Sequence, residues 1–151
     1  MSSGTSKVQL SNDEAEVRAV IDATTKAHRE KDVTAIGARY APEIVSYDLS
    51  PPLVHRGFNV KEKQAWLDTW EGPIEIETRD FEVTVAGDCA FGHGYFRLAG
   101  TPKASGQPVS FWMRATTCLR KIDGAWKITH EHESVPFYMD GSLRPAFDLT
   151  P

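Results

Sequence analysis

Cysteine is scarce in these 151 residues, basic side chains are outnumbered, and long apolar runs are missing. The two cysteines, Cys89 and Cys118, stand outside any CxxC or Cys/His cluster. That excludes a disulfide framework and points to a reducing, cytoplasmic setting. Both read as small buried hydrophobes. Lys and Arg total 17 against 21 Asp and Glu, a net charge of −4. Neither the basic face of a nucleic-acid binder nor a polybasic membrane patch is available, so neither partner is expected. No run approaches the roughly 18 apolar residues of a membrane span. A Gly-rich phosphate loop and a GxSxG elbow are also lacking, which leaves nucleotide use and serine hydrolysis without support.

What remains is one ordinary domain, 40% hydrophobic and 25% charged, long enough to bury a core without metal or disulfide staples. Residues 1–10 have no secretory apolar stretch and read as a flexible lead-in. Residues 11–136 form the domain proper. Ser11 with Glu14 makes a capping box, and Leu10 a staple, for a first helix whose Val17, Val20, Ile21, Thr24 and His28 recur at helical spacing. Asp32 caps a short second helix carrying Val33, Ile36 and Tyr40 that ends near Pro42. A strand with Tyr47 and Asp48 follows, and Asn59 with Glu62 starts a third helix holding Trp66, Leu67 and Trp70.

From Pro73 onward the period is two. Ile74 and Ile76 share one parity, whereas Phe81, Val83 and Val85 share the other, which predicts a β-bulge near Arg79-Asp80. Strands follow over residues 89–99, 109–122 and 126–134, the last two joined at Asp123-Gly124, a strong hairpin signal. Residues 137–151 carry Phe137, Tyr138, Phe147 and Leu149 and are expected to pack on the domain or on a partner subunit. Helices first and strands second predict an α+β fold, a bent antiparallel sheet around helices with a concave pocket.

The final hairpin is the most informative stretch. With a regular two-residue turn, Leu119 faces Ile128, Thr117 faces His130, Ala115 faces His132 and Met113 faces Ser134. One surface then gathers Phe111, Met113, Leu119 and Ile128 with two imidazoles. The other gathers Trp112, Arg114, Thr116 and Cys118 with Glu131 and Glu133, where Arg114 can pair with a carboxylate. A bulge at the turn would slide this pairing by one residue and bring Arg114 to the side of His132. The regular register is preferred because it separates an apolar-plus-histidine face from an ionic one.

Residues 114–136, RATTCLRKIDGAWKITHEHESVP, resemble the C-terminal signature of SnoaL-like domains in the NTF2-like superfamily, which includes ketosteroid isomerase-like and polyketide cyclase-like proteins. The Tyr47-Asp48 strand, Pro51-Pro52, Gly57 and Gly87-Asp88-Cys89-Ala90 fit the same pattern, and the likeness spans about residues 12–140. The H-x-H-x-S strand is also similar to the association domain of calmodulin-dependent kinases. The resemblance implies a cone-shaped α+β fold, a central pocket and a sheet-mediated homodimer, but no single chemistry.

His130 and His132 share one side of a strand and titrate near neutrality, so they are candidate general acid/base residues, together with Asp48. Structural hydrogen bonding is the plainer reading of the two imidazoles. A metal reading lacks an evident third ligand: His93 or Glu131 would have to serve, and Glu131 points away by parity. Tyr47, Phe111, Met113, Arg114, Ser134 and Trp66 are the candidate ligand-binding residues, with Arg114 either an anion anchor or an ion-paired structural residue. No metal or cofactor is expected. The expected function is binding of a small organic molecule, with isomerase-, cyclase- or dehydratase-type acid/base turnover. The alternative is a non-catalytic dimerisation or ligand-sensing module.

Overall fold

The computed structural model describes residues 3–151. Helix α1 runs Ser3–Arg29, α2 Val33–Ala38 and α3 Val60–Asp68. The strands are β1 Tyr40–Tyr47, β2 His55–Arg56, β3 Trp70–Ala86, β4 Cys89–Pro102, β5 Val109–Ile122 and β6 Ala125–Ser134. They form one sheet in the order β2-β1-β6-β5-β4-β3. All neighbours are antiparallel except β1 and β6, which run parallel. The helices pack into its concave side, giving the α+β cone.

Local chemistry sets most boundaries. Asp32 accepts from Ala35 N and Asn59 from Glu62 N, both at 3.1 Å, so the two expected N-caps are made. Three boundaries differ from expectation. Residues 3–10 are helix rather than lead-in, and Met1 and Ser2 lie outside the described residues. Ser11 therefore falls inside α1, with Asp13 on the same turn buried against Lys121 Nζ at 3.3 Å. That tie holds the turn in the helix, and no proline interrupts it. Tyr40 and Trp70 open strands instead of closing helices, because each helix stops at a cap, Arg39 and Thr69, whose backbone N–H already folds back on the last turn.

Two apolar clusters fill the cone. One centres on Ile36, Leu67 and Ile74, the other on Val17, Ile44, Leu119 and Ile128. Each such side chain removed from water contributes about 1.5–3 kcal/mol.

The sheet bends where the parity of β3 slips. The β3–β4 pairing jumps between Arg79 and Glu82, and Asp80 has φ +51°, which is the expected bulge. Gly94 of β4 lies directly beneath it. A Cβ there would meet Phe81 Cα at 2.8 Å and the Asp80 carbonyl oxygen at 2.9 Å, so this close approach requires glycine.

At Asp123 (φ +51°) and Gly124 (φ +81°) the chain makes the expected tight hairpin. The pairing keeps the expected register from Ile122–Ala125 to Leu119–Ile128 and then shifts, with Cys118 opposite His130 and Thr116 opposite His132. Thr129 is the extra residue, and its Oγ1 donates to the Cys118 carbonyl at 3.3 Å. This mid-strand bulge reverses the parity of everything after it.

Both cysteines correct the buried reading. Cys89 is exposed and Cys118 half-buried. Both share the parity of exposed β4 and β5 residues such as His93 and Thr116, on the convex face of the sheet.

Candidate functional site

A cavity of about 800 Å³ lies between the concave face of the sheet, α1 and α3. Its sheet wall carries a polar row that follows from strand register. Ser46 pairs with His55 on β2 and with Glu131 on β6, and Glu131 pairs with Thr117 on β5. All four side chains line the cavity. Two residues on, Glu133 lines it too, with Asp48 at the matching position past the end of β1.

The two glutamates are the site's most perturbed acids. Burial, and then repulsion from Asp48, push Glu131 up to about 7 against the opposing field of Lys63. Burial, with Glu131 and Asp48 adding negative charge, pushes Glu133 up to about 8. Among the described residues, no lysine or arginine comes within ion-pair distance of either carboxyl. Tyr40 Oη donates to Glu131 Oε2 at 3.4 Å. Its burial beside these acids holds the phenol well above its ordinary range, so it stays a donor.

α1 supplies His28, which is 8% exposed. Its Nδ1 lies 2.8 Å from the Thr24 carbonyl. A carbonyl only accepts, so Nδ1 carries the proton and Nε2 is left as a lone-pair acceptor. Burial, helped by the nearby Lys63 ammonium, lowers His28 to about 3 and keeps the ring neutral. From α3, Trp66 meets the His28 ring edge-on at 6.4 Å between centroids, and Lys63 Nζ lies 4.8 Å from the Trp66 ring centre. His55 Nε2 is 3.6 Å from Asp48 Oδ2, too long to count as a hydrogen bond, and is buried without a partner among the described residues.

Of the residues expected from sequence, Asp48, Trp66, Phe111 and Met113 come together around the cavity. His130, His132, Tyr47, Arg114 and Ser134 do not line it, and the expected register has to be corrected. Because Thr129 is extruded, His130 and His132 turn to the convex face with Thr116 and Cys118, and Glu131 and Glu133 turn inward. The Tyr47 ring lies edge-on to both imidazoles, 4.8 Å from His130 and 5.3 Å from His132, and His130 Nδ1 donates to the Val45 carbonyl at 2.7 Å. Arg114 Nε donates to Ser134 Oγ at 3.1 Å instead of pairing with a glutamate.

Sequence reasoning passed over Glu131, Glu133, Tyr40, Lys63 and His55 as site residues. The signal for the first two was present. In His-Glu-His-Glu either parity delivers a pair of titratable groups to one face, so the register alone decides which pair lines the cavity.

Residues 17–138 match the family profile of the SnoaL-like domain. No protein of curated function matches the chain. Among solved structures, it is similar to an NTF2-like protein of unknown function from Pseudomonas putida KT2440. The two share 32% identity over 93% of this chain and 98% of that one, with a TM-score of 0.82. A candidate dehydratase of the NTF2-like family from Streptomyces avermitilis is 19% identical over 83% of this chain and 97% of that one, TM-score 0.72. The association domain of C. elegans CaMKII is 13% identical over 83% and 98%, TM-score 0.69. At those identities the last two likenesses carry the fold alone.

Proposed function

Because the chain belongs to the SnoaL-like domain family, we propose that its cavity binds a small organic molecule and moves a proton on it, with Glu131 and Glu133 as the acid/base pair. The observation that carries this reading is the pair of glutamates facing the cavity from one strand, held near neutrality by burial. A carboxyl with such a pKa divides its population between acid and base at pH 7, where proton transfer is most efficient. Tyr40, held as a donor, stabilises the ionised form of Glu131. Aromatic walls such as Trp66 and Phe111 exclude water from the ligand's body. Isomerase, cyclase and dehydratase chemistry all begin with such a step. Asp48, beside His55 at the same wall, is placed to polarise the ligand rather than to serve as the main base.

A base in an apolar cavity can be tested without knowing the substrate. 5-Nitrobenzisoxazole opens when a carboxylate removes the proton on C3 of its isoxazole ring; the N–O bond breaks and a coloured cyanophenolate forms. The expected result is turnover above buffer that rises as pH passes about 7 to about 8 and is lost in the double variant Glu131→Gln, Glu133→Gln. Turnover equal in wild type and double variant would overturn the acid/base reading in favour of a binding module.

The same reading sets a homodimer on the convex face, where Phe91, Tyr95 and Tyr47 are exposed at 45%, 36% and 41%. A monomer in sedimentation at micromolar concentration would remove it.

A further inference from the structure

We propose that the cavity selects a ligand whose polar end is a protonated amine, carried on an aromatic or apolar body. This rests on the reading of the cavity as a small-molecule site and names the class of molecule it takes.

Four carboxyl side chains face the cavity, against two basic ones. Glu131 and Glu133 come from β6, Asp48 from the end of β1, and Glu62 from α3. Against them stand Lys63 from α3 and Arg97 from β4. The Arg97 guanidinium is already committed to Glu77 at 2.9 Å and Glu75 at 3.2 Å. Lys63 rests on the Trp66 ring and, among the described residues, is within ion-pair distance of no carboxyl. The wall therefore carries more negative than positive capacity.

The second observation is independent of the acids. His28, only 8% exposed, has its Nδ1–H tied to the Thr24 carbonyl. His28 lines the cavity, and among the described residues its Nε2 makes no hydrogen bond within the protein. A neutral imidazole fixed in this tautomer accepts a proton-bearing group and repels a carbonyl. Carboxylates, a bare imidazole nitrogen and aromatic faces together describe a receptor for N–H donors with positive charge. Lys63 on Trp66 shows that a ring of this cavity already accepts an ammonium.

Binding a cation here must expel protons. The groups that decide this are Glu131 and Glu133, faced by Tyr40 from β1, Asp48 just past its end, His55 from β2, Lys63 and Glu62 from α3, His28 from α1 and Arg97 from β4. At pH 7 the glutamates are largely or partly protonated. An ammonium stabilises their ionised forms, so affinity rises with pH through about 8 and falls only when the amine itself loses its proton, near pH 10.

The test compares three ligands of one shape: tryptamine, its neutral analogue tryptophol and the anion indole-3-propionate. Calorimetry on the full chain should show tryptamine binding about tenfold or more tightly than tryptophol, with indole-3-propionate weaker still. Titrations at pH 7 in two buffers of different ionisation enthalpy should show proton release with tryptamine and none with tryptophol. In Glu133→Gln the ratio of tryptamine to tryptophol affinity should shrink. Tryptophol or indole-3-propionate binding as tightly as tryptamine, or tryptamine failing to bind at millimolar concentration, overturns the proposal. Turnover of 5-nitrobenzisoxazole persisting alongside such a failure would leave the acid/base reading standing and remove only the amine.

Discussion

One strand, β6, presents two surfaces built from the same four-residue run, and they behave differently. On the convex face, His130 and His132 flank Tyr47 beside Thr116 and Cys118, close to water. On the concave face, Glu131 and Glu133 sit in a cavity with neutral His28, protonated Tyr40 and aromatic rings. Burial raises the two carboxyls into the range near neutrality. Residue type alone misassigns the chemistry, because the environment decides which group is poised.

The largest test of this contrast is catalytic. Glu131→Gln or Glu133→Gln should cut 5-nitrobenzisoxazole turnover by about a hundredfold or more, measured as initial rates at pH 8. His130→Ala and His132→Ala should stay within a factor of about two, since surface changes are usually mild. Equal losses on both faces would break the distinction.

Next in size is packing at the point where the two registers meet. Ile128 is 1% exposed, and Ile128→Ala should cost about 2–5 kcal/mol in urea denaturation. Thr116→Ala on the convex face should change stability by no more than about 0.5 kcal/mol.

Stability against pH separates the buried groups from one another. Glu133 is raised in the folded protein, so between its unfolded value near 4.5 and its folded value of about 8 the unfolded chain binds fewer protons. Folding stability from this group therefore falls as pH rises through that window. Thermal melts of Glu133→Gln should run a few degrees above wild type at pH 9 and converge with it near pH 4. His28 has the opposite sign. Lowered to about 3 from 6.5, it binds a proton more readily when unfolded, so its contribution is complete above about 6.5 and is lost as pH falls toward 3. His28→Gln should flatten that acid limb.

The smallest effect concerns the bulge. Deleting Thr129 removes the extra residue and the bond of its hydroxyl to Cys118. A single neutral hydrogen bond is worth about 1 kcal/mol, and Glu131 and Glu133 should still face inward because the strand then alternates regularly from Ile128. Loss of the pH-dependent turnover in this deletion would show that the cavity needs the bulge itself, not only its parity.

Much of the fold was legible because its signals are local. Asp123-Gly124 marks a turn by residue type, Asp32 and Asn59 mark helix starts, and the parity slip between Ile76 and Phe81 marks the first bulge. Adjacent Tyr47 and Asp48 had to face opposite sides, and they do. The second bulge was not legible because Thr129 is an ordinary strand residue with no glycine or asparagine beside it. His-Glu-His-Glu offers a plausible polar pair in either register, so composition could not choose. Only the neighbouring strands do: β1 aligns Ser46 with Glu131, and β5 aligns Thr117 with it. The early start of α1 was hidden for a related reason, since a capping box at Ser11 reads the same inside a helix as at its edge until Asp13 is seen to reach Lys121.

Gly94 and the bulge at Asp80 touch no residue of the polar row, yet the curvature that hollows the sheet passes through them. A side chain at position 94 would strike the backbone of the bulge within 3.0 Å, so the two positions are bound to one another in descent. A lineage that lost the bulge would be free to replace Gly94, and one that kept the bulge would not. The depth of the cavity thus depends on two positions outside it, and losing either one should flatten the sheet behind the polar row.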